Sequence, residues 1–191
     1  TECNAETAVD LARALGVSKL LAQCLMNRGL GDEAEAANFL APRLTNLAAP
    51  EGIPNLSIAV ERLFVARERG ERIAVFGDYD VDGVTSATLL LDCLRALGWQ
   101  VEAYLPHRMD EGYGLTAVGV ANCLEKHQPD LLLAVDCGST SVDVIADLHT
   151  KGIEVIVLDH HQVSDPPPPA LAIVNPQLAA EGEPNFRELC S

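Results

Sequence analysis

Arg72-Ile73-Ala74-Val75-Phe76-Gly77-Asp78-Tyr79-Asp80-Val81-Asp82-Gly83 decides how this chain is read. An unbroken apolar run, Ile73 to Phe76, passes through Gly77 into three aspartates at alternate positions. A short apolar run bounded by glycine fits a strand buried on both faces. The pattern recurs at Val101 to Leu105, Leu131 to Val135, Val155 to Leu158 and Leu171 to Val174. Between these runs lie amphipathic stretches at helical spacing, about Thr85 to Leu97, Thr116 to Lys126 and Ser141 to Thr150. Buried strands alternating with helices predict an α/β fold: a doubly wound, mainly parallel sheet with helices on both faces.

Upstream of Arg72 the periodicity is helical throughout. Apolar residues recur at helical spacing through Val9 to Leu15 and Leu20 to Met26, and Asp32 stands as an N-cap before Ala34 to Leu40. Pro42, Pro50 and Pro54 interrupt the chain, and a further helix over Ser57 to Arg69 ends at Gly70 with Arg67 and Arg69 in its last turn, where a helix favours cations. The expected organisation is a small helical N-terminal segment over 1–70 and an α/β domain over 71–191. Pro166 to Pro169 reads as a stiff surface connector.

Composition narrows the function classes. A chain of 191 residues that is 48% hydrophobic is too aliphatic for disorder and long enough to bury a sizeable core. No apolar stretch is long enough to span a bilayer, so no membrane role is expected. The net charge is −15, of which −2 falls in residues 1–70 and −13 in residues 71–191. That balance opposes a protein held to nucleic acid by overall charge. The six cysteines form no C-x-x-C pair, which fits reduced thiols and a cytoplasmic location.

In open α/β sheets ligands bind beyond the carboxyl ends of the strands, so the residues after each run carry the functional expectation. In an extended segment alternate side chains share a face, and Asp78, Asp80 and Asp82 would then present three carboxylates together, a grouping that favours a cation. Asp136-Cys137-Gly138-Ser139 follows the third apolar run of this kind and Asp159-His160-His161 the fourth. Single residues have simpler readings: Asp130 and Asp143 as helix N-caps, His127 and His149 as solvated side chains, Cys137 as core. An EF-hand is excluded because Leu89 stands where the loop needs its last carboxylate and a strand precedes the acidic stretch. A haloacid-dehalogenase pattern at Asp80 and Asp82 lacks the downstream residues it requires.

Asp-Tyr-Asp-x-Asp-Gly at 78–83, Val-Asp-Cys-Gly-Ser at 135–139 and Leu-Asp-His-His at 158–161 resemble, in order and placement, the first three motifs of the DHH phosphoesterase superfamily. Within it, Phe76 to Asp80, Pro106 to Leu115 and the elements between Leu20 and Leu47 are similar to the RecJ type of single-strand-specific 5′-to-3′ exonuclease, and the likeness runs on through Ile173 to Pro176. The resemblance implies a metal-dependent phosphodiesterase of DNA repair and recombination with a two-metal site. Asp80 and Asp136 would hold one ion, Asp82, Asp136 and His160 the other, with Asp136 bridging. Asp78 would compensate for Phe76, which stands where other branches of the superfamily carry histidine. Asp159 would orient a neighbouring histidine, and His161 would face substrate phosphate or complete the layer of groups behind the metal ligands. Arg108, with Tyr113 and Gly114, would contact the nucleic-acid backbone, Tyr113 by stacking on a base; the simpler reading is a surface arginine and a packed tyrosine.

Mixed carboxylate and imidazole ligands suit Mn2+ better than Mg2+, although either serves such centres. The implied partners are single-stranded DNA and a single-strand-binding protein. The superfamily's fourth motif, a further aspartate, normally lies beyond the segment equivalent to residue 191, and Phe186 to Leu189 read as the opening of a helix. The chain is therefore expected to be a fragment of a longer enzyme, cutting slowly or not at all by itself. An alternative within the superfamily is a phosphodiesterase of short oligoribonucleotides or cyclic dinucleotides; outside enzymology, it is a binding module with an incomplete metal site.

Overall fold

The computed structural model describes residues 5–43, 45, 49–180 and 189. Leu44, Leu47 and most of the stretch expected to open a helix at Phe186 fall outside them. The chain divides into two compact units, 1–49 and 50–191.

The first unit holds helices α1 (Ala5–Leu15), α2 (Lys19–Asn27) and α3 (Glu33–Leu40). Ser18 caps α2 by accepting from Leu21 N at 3.2 Å, and Asp32 caps α3 by accepting from Ala34 N and Glu35 N at 2.9 and 3.0 Å. Leu11, Ala12, Ala22, Leu25 and Ala36 form its core.

The second unit is a five-stranded, all-parallel sheet in the order β2-β1-β3-β4-β5, built from β1 (Arg72–Gly77), β2 (Gln100–Tyr104), β3 (Leu131–Val135), β4 (Glu154–Leu158) and β5 (Ala172–Val174). Strand alternation splits the core into two layers. Ile73 and Val75 pack on one face with Ala59 and Ala66 of α4 (Leu56–Arg69) and Ala87 and Leu94 of α5 (Val81–Ala96). Ala74 and Phe76 pack on the other with residues such as Val120 and Cys123 of α7 (Ala117–His127) and Ile145 and Leu148 of α8 (Val142–Thr150), a short α6 (Arg108–Glu111) preceding α7. Every residue of β3 is buried, as its continuous apolar sequence requires. Helix α4 lies in this unit rather than with the upstream helices: Ala59 and Ala66 pack in the sheet's core, and Arg62 reaches Glu71 and Glu154 at 2.6 Å each. The break in charge at residue 70 and the break in packing at residue 49 thus fall at different places.

Four local expectations are corrected. Asp143 lies in the first turn of α8, whose N-cap is Ser141. Helix α5 starts at Val81 instead of Thr85, because Asp80 caps it and accepts from Gly83 N at 3.1 Å. Asp130 caps no helix; its carboxylate accepts from Arg72 N at 2.8 Å and so ties β3 to the start of β1. His127 is partly buried with its ring edge-on to Tyr104 at 6.2 Å, and burial pushes its pKa below the ordinary imidazole value.

Candidate metal centre

The ladder register lines up the ends of four neighbouring strands. Gly77 pairs with Val135, Val135 with Leu158, and Leu158 with Val174. The next residues, Asp78, Asp136, Asp159 and Asn175, therefore form one row across the carboxyl edge of the sheet, at strand spacings of about 4.8 Å. All four are buried. The row crosses the β1–β3 junction, where the winding reverses and open α/β sheets take their ligands.

Asp136 leaves β3 in the left-handed region, with φ 60, while its N–H still donates to Leu158 O at 2.9 Å. That conformation costs a residue with a Cβ about 1 kcal/mol, and aspartate is one of the few that adopt it. Gly138 completes the turn at φ 106, where a Cβ would stand 3.2 Å from Val157 Cγ2 and 3.3 Å from Ala134 Cβ. Asp136 Oδ1 lies 3.3 Å from His160 Nε2.

Asp159 serves as the internal anchor. Its Oδ1 accepts from His160 N at 2.8 Å and His161 N at 3.2 Å and lies 2.8 Å from His161 Nδ1, while Oδ2 accepts from Ser139 N at 3.1 Å. Burial alone would raise the Asp159 pKa, but the bonds from Ser139 and His161 outweigh it and hold the carboxyl below its ordinary value. In return, the bond to Asp159 pushes His161 above the ordinary imidazole value despite some burial. The histidine that Asp159 orients is thus His161.

One donor atom from each of Asp136, Asp159, His160 and His161 falls within 4.8 Å of the others. Two carboxylates and two imidazoles at that separation fit a divalent cation of the Mn2+ type. Asp78, Asp80 and Asp82 lie outside this group of four, and they do not share one extended segment: β1 ends at Gly77, Asp80 is the N-cap of α5, and Asp82 sits in its first turn. Asp80 is joined to the group through Asp136. Its carboxyl is held low first by the bond from Gly83 N, against some burial, and then by contact with the Asp136 carboxyl. Two carboxylates in contact need a shared proton or a cation between them. Gly83 lets the first turn of α5 pack directly on the Asp78 backbone, since a Cβ there would meet Asp78 O at 2.4 Å and Asp78 N at 2.6 Å.

The β2–α7 connection supplies the opposite wall. The Arg108 guanidinium lies over the Tyr79 ring at 5.2 Å, and Tyr79 meets Tyr113 edge-on at 5.7 Å. Burial, then the Asp78 carboxylate, pushes the Tyr113 hydroxyl up to about 12. Glu111 secures the turn by accepting from His107 N at 2.6 Å and from the Tyr104 hydroxyl and the Asn122 amide. Tyr113 and Gly114 share a cavity of about 430 Å3 with Asp136, Ser139, Asp159 and His161. Cys137 also lines it, but burial pushes its thiol well above the ordinary value, in keeping with a core role. Sequence reasoning gave no role to Tyr79, Ser139 or Asn175. Tyr79 and Ser139 lie within the motifs at 78–83 and 135–139, and Asn175 within the likeness over Ile173 to Pro176, but none of these assigns the residue a role.

The fold and donor set define a class: a parallel α/β domain with a divalent-metal centre at its carboxyl edge. The profile of the DHH family, N-terminal domain, matches residues 72–184. The chain belongs to that family. The single-stranded-DNA-specific exonuclease RecJ of Thermus thermophilus is 43% identical over 129 residues, which are 68% of this chain and 19% of that protein. The RecJ of Bacillus subtilis is 32% identical over 180 residues, 94% of this chain and 23% of that protein. The crystal structure of Thermus thermophilus RecJ in complex with Mn2+ matches with a TM-score of 0.72 at 33% identity, covering 96% of this chain and 25% of that one. The chain thus spans about a quarter of these proteins or less.

Proposed function

We propose that this chain carries the metal centre of a RecJ-type exonuclease that hydrolyses single-stranded DNA from its 5′ end in repair and recombination. The row Asp78, Asp136, Asp159 and Asn175 carries the reading, because it gathers the motif residues of three strand ends at the sheet's switch point. Asp80, Asp136 and His160 are the ligands around which two divalent ions, Mn2+ or Mg2+, would be held, with Asp78 and Asp82 on the adjoining turn completing the set. Such a pair lowers the pKa of an attacking water, neutralises the scissile phosphate and stabilises the leaving oxygen. His161 has Nδ1 engaged by Asp159, so its Nε2 is the nitrogen that faces substrate phosphate. Arg108 supplies a backbone-phosphate contact and Tyr113 a face for a base. The same reading makes a single-strand-binding protein the partner on the DNA and the cytoplasm the location. Among the described residues no helix is long and apolar enough to cross a membrane.

The test is incubation of the full-length protein that contains this chain with Mn2+ and 5′-labelled single-stranded DNA. Release of labelled mononucleotides is expected. Hydrolysis of dinucleotides in preference to long strands would move the assignment to the oligonucleotide branch, and a Mn2+-loaded protein that cuts neither would reduce it to a binding module.

A further inference from the structure

The row of strand ends is aspartate, aspartate, aspartate and then asparagine. Asn175 is fully buried, and all of its polar atoms are engaged. Its Nδ2 donates to His161 O at 2.8 Å and to Ser139 Oγ at 2.9 Å, while its Oδ1 accepts from Gln177 N at 2.8 Å. A carbonyl can only accept and a peptide N–H can only donate, so these partners fix the orientation of the amide. Ser139 N in turn donates to Asp159 Oδ2, and Asp159 Oδ1 meets His161 Nδ1. Asn175, Ser139, Asp159 and His161 therefore close a ring that joins the ends of β3, β4 and β5. Two residues on, Gln177 Nε2 donates to His160 O at 3.3 Å. Two side-chain amides from one short segment thus hold the carbonyls of both histidines.

We infer that the segment Asn175 to Gln177 is a positioning clamp for the metal centre: its amides fix the His160–His161 backbone so that the imidazoles stay beside Asp136 and Asp159. The clamp rests on the metal-binding reading given above. It also explains why this end of the row carries an amide. An aspartate at 175 would offer no donor to His161 O and would bury a fourth carboxylate beside three others. Groups that orient a metal's ligands commonly tune its affinity by about 10–100-fold.

Mn2+ affinity, measured by titrating the free-ion electron paramagnetic resonance signal, separates this role from simple support of the fold. Asn175→Asp and Asn175→Ala are expected to weaken binding by about tenfold or more. Gln177→Ala touches a partly exposed side chain; it should weaken binding severalfold and leave the thermal midpoint in EDTA close to the parent's. If the Asn175 variants fail to fold, Gln177→Ala decides. A residue that only supports the fold lowers the midpoint in EDTA and leaves the affinity of the folded protein unchanged, so folded variants that bind Mn2+ as tightly as the parent overturn the clamp alone. A parent that binds no Mn2+ overturns the metal reading and the clamp with it.

Discussion

At the residue scale, the pair Asp159 and His161 makes the metal-free protein sensitive to pH. The two shifts have opposite signs and share one cause, a hydrogen bond of 2.8 Å between a buried carboxylate and a half-exposed ring, which for Asp159 comes after the bond from Ser139. His161 has a folded pKa raised above its unfolded value of about 6.5. Its stabilising contribution is therefore complete below about pH 6.5 and disappears as pH rises through the folded value. Asp159 has a lowered folded pKa, so its contribution is present above about pH 3.9 and disappears as pH falls through the folded value. Stability in EDTA should accordingly be greatest in the mildly acidic window between them and decline toward alkaline pH. The His161 side chain is 48% exposed, so solvent screening limits the alkaline decline to no more than about 1 kcal/mol. Urea unfolding at a series of pH values should show this decline in the parent and a flatter profile in Asp159→Asn. An equal slope in the variant would place its origin outside the pair. Divalent ions held beside the pair would shift both titrations, so the measurement requires the chelator.

At the scale of elements, the β1–α5 junction has the least slack. Gly83 lies in the first turn of α5, where alanine would ordinarily gain about 1 kcal/mol over glycine in helix propensity. Here the added Cβ would stand 2.4 Å from Asp78 O and 2.6 Å from Asp78 N, and these are backbone atoms that no rotamer change can move. Overpacking costs about 1–3 kcal/mol, and contacts of 2.4 Å with backbone belong at the upper end of that range, above the propensity gain. Gly83→Ala should therefore lower the urea midpoint, and by lifting Asp80 away from Asp136 it should also weaken Mn2+ binding. A variant at least as stable as the parent would show that the close approach is not required. This junction also shows where the sequence is legible and where it is not. The apolar stretches of β1, β3, β4 and β5 are continuous because both faces are covered, so their existence and chemistry-bearing ends could be read directly, whereas their order in the sheet could not. Aspartates at alternate positions, however, satisfy an extended segment and a cap followed by a helical turn equally well. What separates the two is the tertiary contact of Gly83 with Asp78. Asp136 could be named from its motif, but its left-handed backbone could not. The tie of Asp130 to β1 and the bonds of Asn175 depend on neighbours far away in sequence. The four-residue helix α6 is too short to leave a periodic signal.

At the scale of the whole molecule, the net charge of −15 sets the terms on which a polyanion can approach. Residues 71–191 contribute −13 of it, and Asp78, Asp136 and Asp159 are buried in one row of strand ends. Without cations that edge repels phosphate, and Arg108, partly occupied with Tyr79, is a small counterweight. Two divalent ions would change the total only from −15 to −11. They would place that change, however, where the proposed function seats the scissile phosphate, at distances shorter than the Debye length of about 8–10 Å. Local neutralisation then matters more than net charge. Single-stranded DNA should therefore bind in a metal-gated manner, at least about tenfold more tightly with Mn2+ than with EDTA, a difference of about 1.4 kcal/mol. Fluorescence anisotropy of a labelled oligonucleotide would read the change directly. Salt supplies the second half of the test. Binding carried by many surface cations weakens steeply as salt rises, whereas binding centred on two ions and one arginine should show a shallow slope. A steep slope together with undiminished affinity in EDTA would place the DNA on a basic surface away from the carboxyl edge of the sheet and remove the metal centre from substrate binding.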